Sequence, residues 1–393
     1  MVVECNLNLV AEANPPDASF TQTLKLARIH HYSEAIRLLE QKIEDLQGKS
    51  PPDSLLVSVL RLGISSDVDQ AVALPECHRR SPLATAQCLN LYGKLSIMPS
   101  YAKALHSLVE RRGGPHAVKH VGWSDWLVLT DLYNATRTGD RLWYPRVRPP
   151  QSILNSGKHV PDAKALYFSK RLGSGFDEVD NVLVPSGVRE AIQRAVDATV
   201  ALDHYYRREE DRPLLADIVL AANEAQREFL ELCDDDVSGM AKLVHNCCRL
   251  AGLIYNDIVL FPLPSCTRVK SHLAGELEQL LERSEQKNFP PNKDKGSIAS
   301  PLDDMFIWVL AMGGIAASFT VHRPFFVKQL RSRLRIRSVD NSSGWTWPEF
   351  KKLVSRFLWW DPVVDSPAMG LWLKVTTGEP HMMDVEMESL EPA

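Results

Sequence analysis

The stretch that most constrains this chain is its most apolar window, Met305 to Phe319, bounded by Asp303-Asp304 on one side and His322-Arg323 on the other. It is shorter than the ~20 residues needed to cross a bilayer. The expectation is therefore a buried core helix and no membrane-spanning segment. An apolar helix of this kind needs other elements to cover it. Ser300-Pro301 opens it, since proline is accommodated at a first helical position, where its missing N–H costs nothing. Asp303 and Asp304 fall in the first turn, where carboxylates suit the positive end of the helix dipole.

The elements available to cover it also read as helices. Ile36, Leu39, Ile43 and Leu46 recur at the spacing of one buried helical face. Asp53, after Pro51-Pro52, is placed to cap a second helix bearing Leu55, Leu56, Val59 and Leu60. Ser81-Pro82 carries a cap-and-proline signature, and the helix that follows is expected to stop at Gly113-Gly114, because glycine accepts the left-handed conformation. Trp123 to Arg137 reads as another helix, closed near Gly139. From about 140 to 185 the periodicity fades among prolines and glycines, and the expectation is a long, irregular, partly mobile connection. Helices resume with Val188, Ile192, Val196 and Leu202, then Leu214 to Leu232, then Met240 to Phe261, which ends at Pro262. Val269, Leu273, Leu277 and Leu280 mark a further one. A polar loop over about 284–300 separates it from the apolar helix. Pro324 opens a helix through Leu334, and Thr346-Trp347-Pro348 opens the last, with Phe350, Leu353 and Phe357 on one face. Strand-length alternation is nearly absent, as is any fixed-period repeat. The fold class expected is all-α, a large array of roughly ten to twelve helices. The organisation expected is an extension over 1–19, a single helical domain over 20–376 and an acidic tail over 377–393. In the tail, Asp384, Glu386, Glu388 and Glu391 alternate with Met383, Val385, Met387 and Leu390, a composition shared by disordered activation segments.

Composition narrows the chemistry. Hydrophobic residues make up 45% and charged residues 24%, enough for a sizeable core. The net charge of -4 argues against a chain built as a nucleic-acid surface, since each phosphate contact needs a cation. The seven cysteines, Cys5, Cys77, Cys88, Cys233, Cys247, Cys248 and Cys266, repeat no spacing. Met1 to Pro16 has neither a basic start nor an apolar run, so no secretory leader is expected. Both point to a reducing compartment, with thiols acting as small apolar residues. The adjacent pair Cys247-Cys248 is read as core, because helical neighbours point about 100° apart.

Catalytic and ligand motifs are missing. No phosphate-binding glycine loop, dinucleotide fingerprint, HExxH, GxSxG or CxxC occurs. Asp234-Asp235-Asp236 is the nearest approach to a magnesium-holding carboxylate run. It continues as Val237-Ser238 without the later carboxylate on the same face, so it reads as a surface charge cluster. Arg207, Arg208, Glu209, Glu210 and Asp211 read as a solvated helix end. Lys328, Arg331, Arg333, Arg335 and Arg337 read first as the wet face of a core helix, and second as a nuclear-import or phosphate-contact patch. The histidines at 30, 31, 106, 116 and 120 match no common metal-site spacing. No catalytic residue, cofactor-binding residue or metal ligand is assigned, and the chain is not expected to be an enzyme.

Five segments carry a resemblance. "HHYSEAIRLLEQKI" comes first, then "RRGGPHAVKHVGWSDWLVLTDLYNATRTGDRLWYP", with its double glycine and its aromatic-proline end. "CCRLAGLIYNDIVLFPLP" follows, an arginine-leucine-alanine helix running to a phenylalanine-proline exit. "DDMFIWVLAMGGIAASFTVHRPFFVKQL" joins a tryptophan, a Gly-Gly, an arginine and an aromatic pair, and "WTWPEFKKLVSRFLWWDPVVDSPAMGLW" closes the series. In this order, from about His30 to Trp372, the chain resembles the regulatory, or middle-homology, domain of fungal-specific zinc-cluster transcription factors. That resemblance implies an all-helical nuclear regulator, tied by analogy to a specialised (secondary) metabolic pathway.

The family usually begins with six cysteines holding two zinc ions beside DNA-contacting basic residues. In this sequence only Cys5 lies in the first seventy residues. Direct sequence-specific DNA binding is therefore not expected. Protein partners are expected instead, a DNA-binding factor or a coregulator, with homo- or heterodimerisation left open. The alternative is a small-molecule sensor or enzyme on the same scaffold, with a ligand pocket between helices beside Trp308. Glycines inside a helix cost about 1 kcal/mol each relative to alanine, and close approach of a neighbouring helix at Gly313-Gly314 is expected to offset that.

Overall fold

The computed structural model of the chain describes residues 18–65, 81–86, 88–93, 96–146, 149, 152–208, 211–234, 237–286, 300–337 and 345–377. The expected acidic tail, most of the N-terminal extension and most of the polar loop lie outside the described residues. Among the described residues the fold is all-α, with thirteen helices of eight residues or more. The one extended pairing among them is the two-residue antiparallel match of Ile64–Ser65 with Ser96–Ile97. No helix among them is long and apolar enough to cross a membrane.

The chain forms two compact units. The first takes residues 1–69, 95–134 and 143–148. It contains α1 (Ala18–Glu44), α2 (Asp53–Gly63), α3 (Pro99–Arg112) and most of α4 (Trp123–Thr138). Its core includes Leu39 of α1, Leu46 in the turn that follows it, Leu55, Leu56, Val59 and Leu60 of α2, Leu105, Leu108 and Val109 of α3, and Leu127 of α4. Gly113 closes α3 in the left-handed conformation, φ 103°, as the double glycine predicts. Asp53 does not cap its own helix; Pro52 holds that position. Its carboxylate instead accepts hydrogen bonds from the backbone N–H groups of Lys119 (2.9 Å) and His120 (3.1 Å) and pairs with Arg112 at 2.9 Å. Asp131 of α4 does the same for the N–H groups of Trp143 and Tyr144, both at 2.9 Å.

The second unit takes residues 70–94, 135–142 and 149–393. It holds α5 (Ala163–Arg171), α6 (Ser186–Arg207), α7 (Leu215–Glu231), α8 (Gly239–Ile258), α9 (Val269–Gln286), α10 (Pro301–Ala316), α11 (Arg323–Arg337), α12 (Trp347–Val354) and α13 (Asp361–Thr377). α10 is the apolar helix. It is buried from Asp304 through Ala316 and packs against α8, α9, α11, α12 and α13. Ser300 and Asp303 form a reciprocal capping box at its start, which satisfies two of the orphan N–H groups there. The single domain expected over 20–376 runs through both units.

Three further expectations need correction. The segment over 140–185 is not irregular throughout: Asp162 accepts a hydrogen bond from Ala165 N at 2.6 Å and nucleates α5. The sequence around α5 has too short an apolar period to announce a nine-residue helix. Ser81-Pro82 opens only a three-residue 3₁₀ turn, Pro82–Ala84, and α3 begins separately at Pro99. The Ser81 hydroxyl accepts from Leu83 N and donates to the carbonyl of Val259, so its task is tertiary. Finally, the helix opened by Thr346 ends at Val354, and Phe357 lies beyond it. α13 is a further helix that tolerates an internal Pro367, a residue that normally argues against one.

Candidate functional site

The residues of the Trp308–Gly-Gly segment interlock. Trp308 is fully buried in α10, and its indole Nε1–H donates to the Leu358 carbonyl at 3.0 Å. Its ring meets Phe176 edge-on at 5.1 Å and stacks on Phe357 at 5.8 Å. A Cβ built on Gly313 would collide with the ring of Phe326 on α11, and one on Gly314 would lie 2.7 Å from Leu371 Cδ2 on α13. The glycine pair thus admits two helices to close approach. Arg323 completes the arrangement by donating from Nη1 to the Gly314 carbonyl at 3.1 Å. The rings of Phe176 and Phe357 therefore pack directly against the Trp308 indole.

Two arginines of the basic stretch on α11 have structural duties. Arg331 donates to the carbonyls of Val375 (2.8 Å) and Lys374 (2.7 Å), serving the orphan C-terminal carbonyls of α13. Arg333 sits 4.9 Å over the Phe306 ring and 3.8 Å from Asp303. Lys328 and Arg335 are exposed, and the side chain of Arg337 lies outside the described residues. The patch is thus divided between packing and solvent rather than gathered on one surface.

The other charged groups singled out also find local partners. Asp234 accepts from Asn246 Nδ2 at 2.8 Å and pairs with Lys242 at 3.1 Å, and the Asn246 bond, followed by Lys242, lowers its pKa. Asp235 and Asp236 lie outside the described residues, as do Glu209 and Glu210. Cys247 and Cys248 are fully buried; burial raises both thiols, Cys248 to about 12, which leaves them inert. His106 contacts Glu110 at 3.3 Å and Trp143. Among the described residues no three histidine, cysteine or carboxylate groups assemble as a metal-holding cluster.

A buried polar cluster that sequence reasoning did not single out joins the 152–162 segment to α6. His159 Nε2 and His204 Nδ1 are 2.8 Å apart, with both residues buried. His204 Nε2 lies 3.7 Å from Asp162, which also receives two hydrogen bonds from Arg207, at 2.8 and 3.0 Å. Arg207 is therefore not the solvated helix end expected of it. Asp203 takes the Trp360 indole N–H at 3.0 Å, and Ser152 donates to the buried Asp197. Burial, then the neighbouring His204, pulls His159 down to about 4. His159 is thus neutral at physiological pH, and the cluster fastens a loop to α6. Its members His159 and Asp162 lie 45 residues from His204 and Arg207, and that separation hides the cluster in the sequence.

A cavity of about 70 Å³ lies in the second unit, between the end of α4, α7, α8 and α9. Arg249, Glu276, Thr136 and Gln226 give it polar walls. No family model matches the chain, and neither does any curated protein or solved structure.

Proposed function

We propose that this chain is a nuclear transcriptional regulator that acts through protein partners, a DNA-binding factor or a coregulator, and that its targets belong to a specialised metabolic pathway. The observation that carries the reading is the Gly313-Gly314, Arg323 and Phe326 arrangement. Residues that carry the resemblance to the fungal regulatory domain are tied to one another by packing and by a hydrogen bond. They therefore act as a structural unit rather than as a chance string. The pathway rests on analogy alone. Contact with DNA is assigned to a partner, because the cysteines of this sequence have no zinc-cluster spacing and Arg331 and Arg333 of α11 are committed to α13 and to Phe306.

Fusion of the chain to a heterologous DNA-binding domain tests the reading. The fusion is expected to change transcription of a reporter bearing that domain's site, relative to the DNA-binding domain alone. Deletion of the gene is expected to alter transcripts of at least one metabolic gene cluster. A silent fusion together with an unchanged transcript profile overturns the proposal.

A further inference from the structure

The cavity bounded by the end of α4, α7, α8 and α9 holds opposite charges that do not meet. Arg249 of α8 and Glu276 of α9 both line it, yet they form no ion pair with each other among the described residues. Arg249 Nε–H donates to the Phe229 carbonyl at 3.2 Å, which fixes the plane of the guanidinium. Its terminal amino groups have no hydrogen-bond partner among the described residues. Burial lowers its pKa, and the charges of Glu276 and Asp234 oppose that shift. A partly desolvated guanidinium of this kind pairs strongly with a carboxylate, because its fork of N–H groups matches two oxygens. Glu276 is also 3.3 Å from His272 and remains accessible.

The rest of the wall fits a small organic molecule. Gln226 is buried and held from both sides: its Nε2 donates to Thr136 Oγ1 at 3.0 Å and its Oε1 accepts from Asn256 Nδ2 at 3.1 Å. That chain fixes the polar wall before any ligand arrives. Leu230, Leu253 and Leu273 supply an apolar patch. A volume of about 70 Å³ has room for roughly five waters, hence for a molecule of about five to seven heavy atoms.

We propose that this cavity binds a small neutral α-amino acid as its zwitterion, with the carboxylate on Arg249, the ammonium on Glu276 and the short side chain against the leucines. The separated charge pair selects for a molecule that carries both charges at once. A monocarboxylate leaves Glu276 unmatched, and an amine leaves Arg249 unmatched. The proposal stands apart from the regulatory reading: it is tested on the purified chain, without a reporter, so either can fail alone.

The experiment is calorimetric titration of the full chain with L-alanine, propionate and ethylamine at matched ionic strength. Alanine is expected to bind saturably in the millimolar range or tighter, and each single-charge analogue at least about tenfold more weakly. Arg249→Gln is expected to weaken alanine binding about tenfold or more. Glu276→Gln, at a partly exposed position that does not endanger the fold, is expected to weaken alanine similarly while leaving propionate as tight as before or tighter. Circular dichroism establishes whether Arg249→Gln stays folded; if it does not, Glu276→Gln decides. No saturable binding of alanine, equal binding of alanine and propionate, or unchanged alanine binding by Glu276→Gln overturns the proposal.

Discussion

Replacing Gly313 by alanine puts two opposing effects in the same residue. In an open helix the change is favourable by about 0.8–1 kcal/mol, since alanine has less backbone freedom to lose. At Gly313 the new methyl would have to occupy space held by Phe326, whose Cζ lies 2.6 Å and Cδ1 2.7 Å from the ideal Cβ position. Phe326 is fully buried, and its ring edge is not the loose end of a flexible side chain. Overpacking of this kind costs typically 1–3 kcal/mol and occasionally more, and this contact is tight enough to place it at the upper end. The net expectation is a destabilisation of about 1–2 kcal/mol. Gly370, inside α13, is the control: nothing lies within 4 Å of its ideal Cβ. Gly370→Ala should therefore stabilise by about 0.5–1 kcal/mol. Urea unfolding followed by tryptophan fluorescence, which reports the second unit through Trp308, Trp359 and Trp360, measures both changes. Phe326→Leu in the Gly313→Ala background should recover part of the loss, giving a favourable coupling in the double-mutant cycle. Equal stabilisation by the two alanines would refute the account of the glycine pair as a seat for α11.

Two further outcomes follow from the buried polar contacts. His159 has a folded pKa of about 4, below its ordinary 6.5, so the unfolded chain binds more protons between those values. The stability contributed by the neutral His159 is present above about pH 6.5 and is lost as pH falls toward 4, by up to about 3 kcal/mol. Unfolding midpoints between pH 7 and 4 should show this slope, and His159→Gln should flatten it; an unchanged slope refutes the assignment to His159. Arg331→Gln removes two charge-assisted bonds to the last carbonyls of α13 and should cost about 1.5–3 kcal/mol. A thermally neutral Arg331→Gln, read by differential scanning calorimetry, would return that arginine to the free basic patch.

Much of the architecture is legible from local pattern. The apolar run of α10 and the proline-and-glycine punctuation at Pro301, Gly113 and Gly139 place elements where the structure has them, because helical period and cap chemistry are local properties. The buried nature of α10 follows from its composition alone. What needed tertiary structure depends on partners distant in the chain. Asp53 looks like a cap and serves two amide groups 66 and 67 residues away. Arg207 looks like a wet helix end and is bound by Asp162, 45 residues earlier. α13 was hidden by Pro367, whose cost is borne by the buried faces of Val363, Val364, Leu371 and Trp372. The glycines of α10 announce a close approach in the sequence, but only the packing names Phe326 and Leu371 as what approaches. The cavity with Arg249 and Glu276 had no sequence signature, since its walls come from four helices, each of which reads by itself as an ordinary amphipathic surface. A side chain's chemistry is written in the sequence, but its desolvation and its neighbours are set by long-range packing, and these decide whether a charge is a surface ornament or a site.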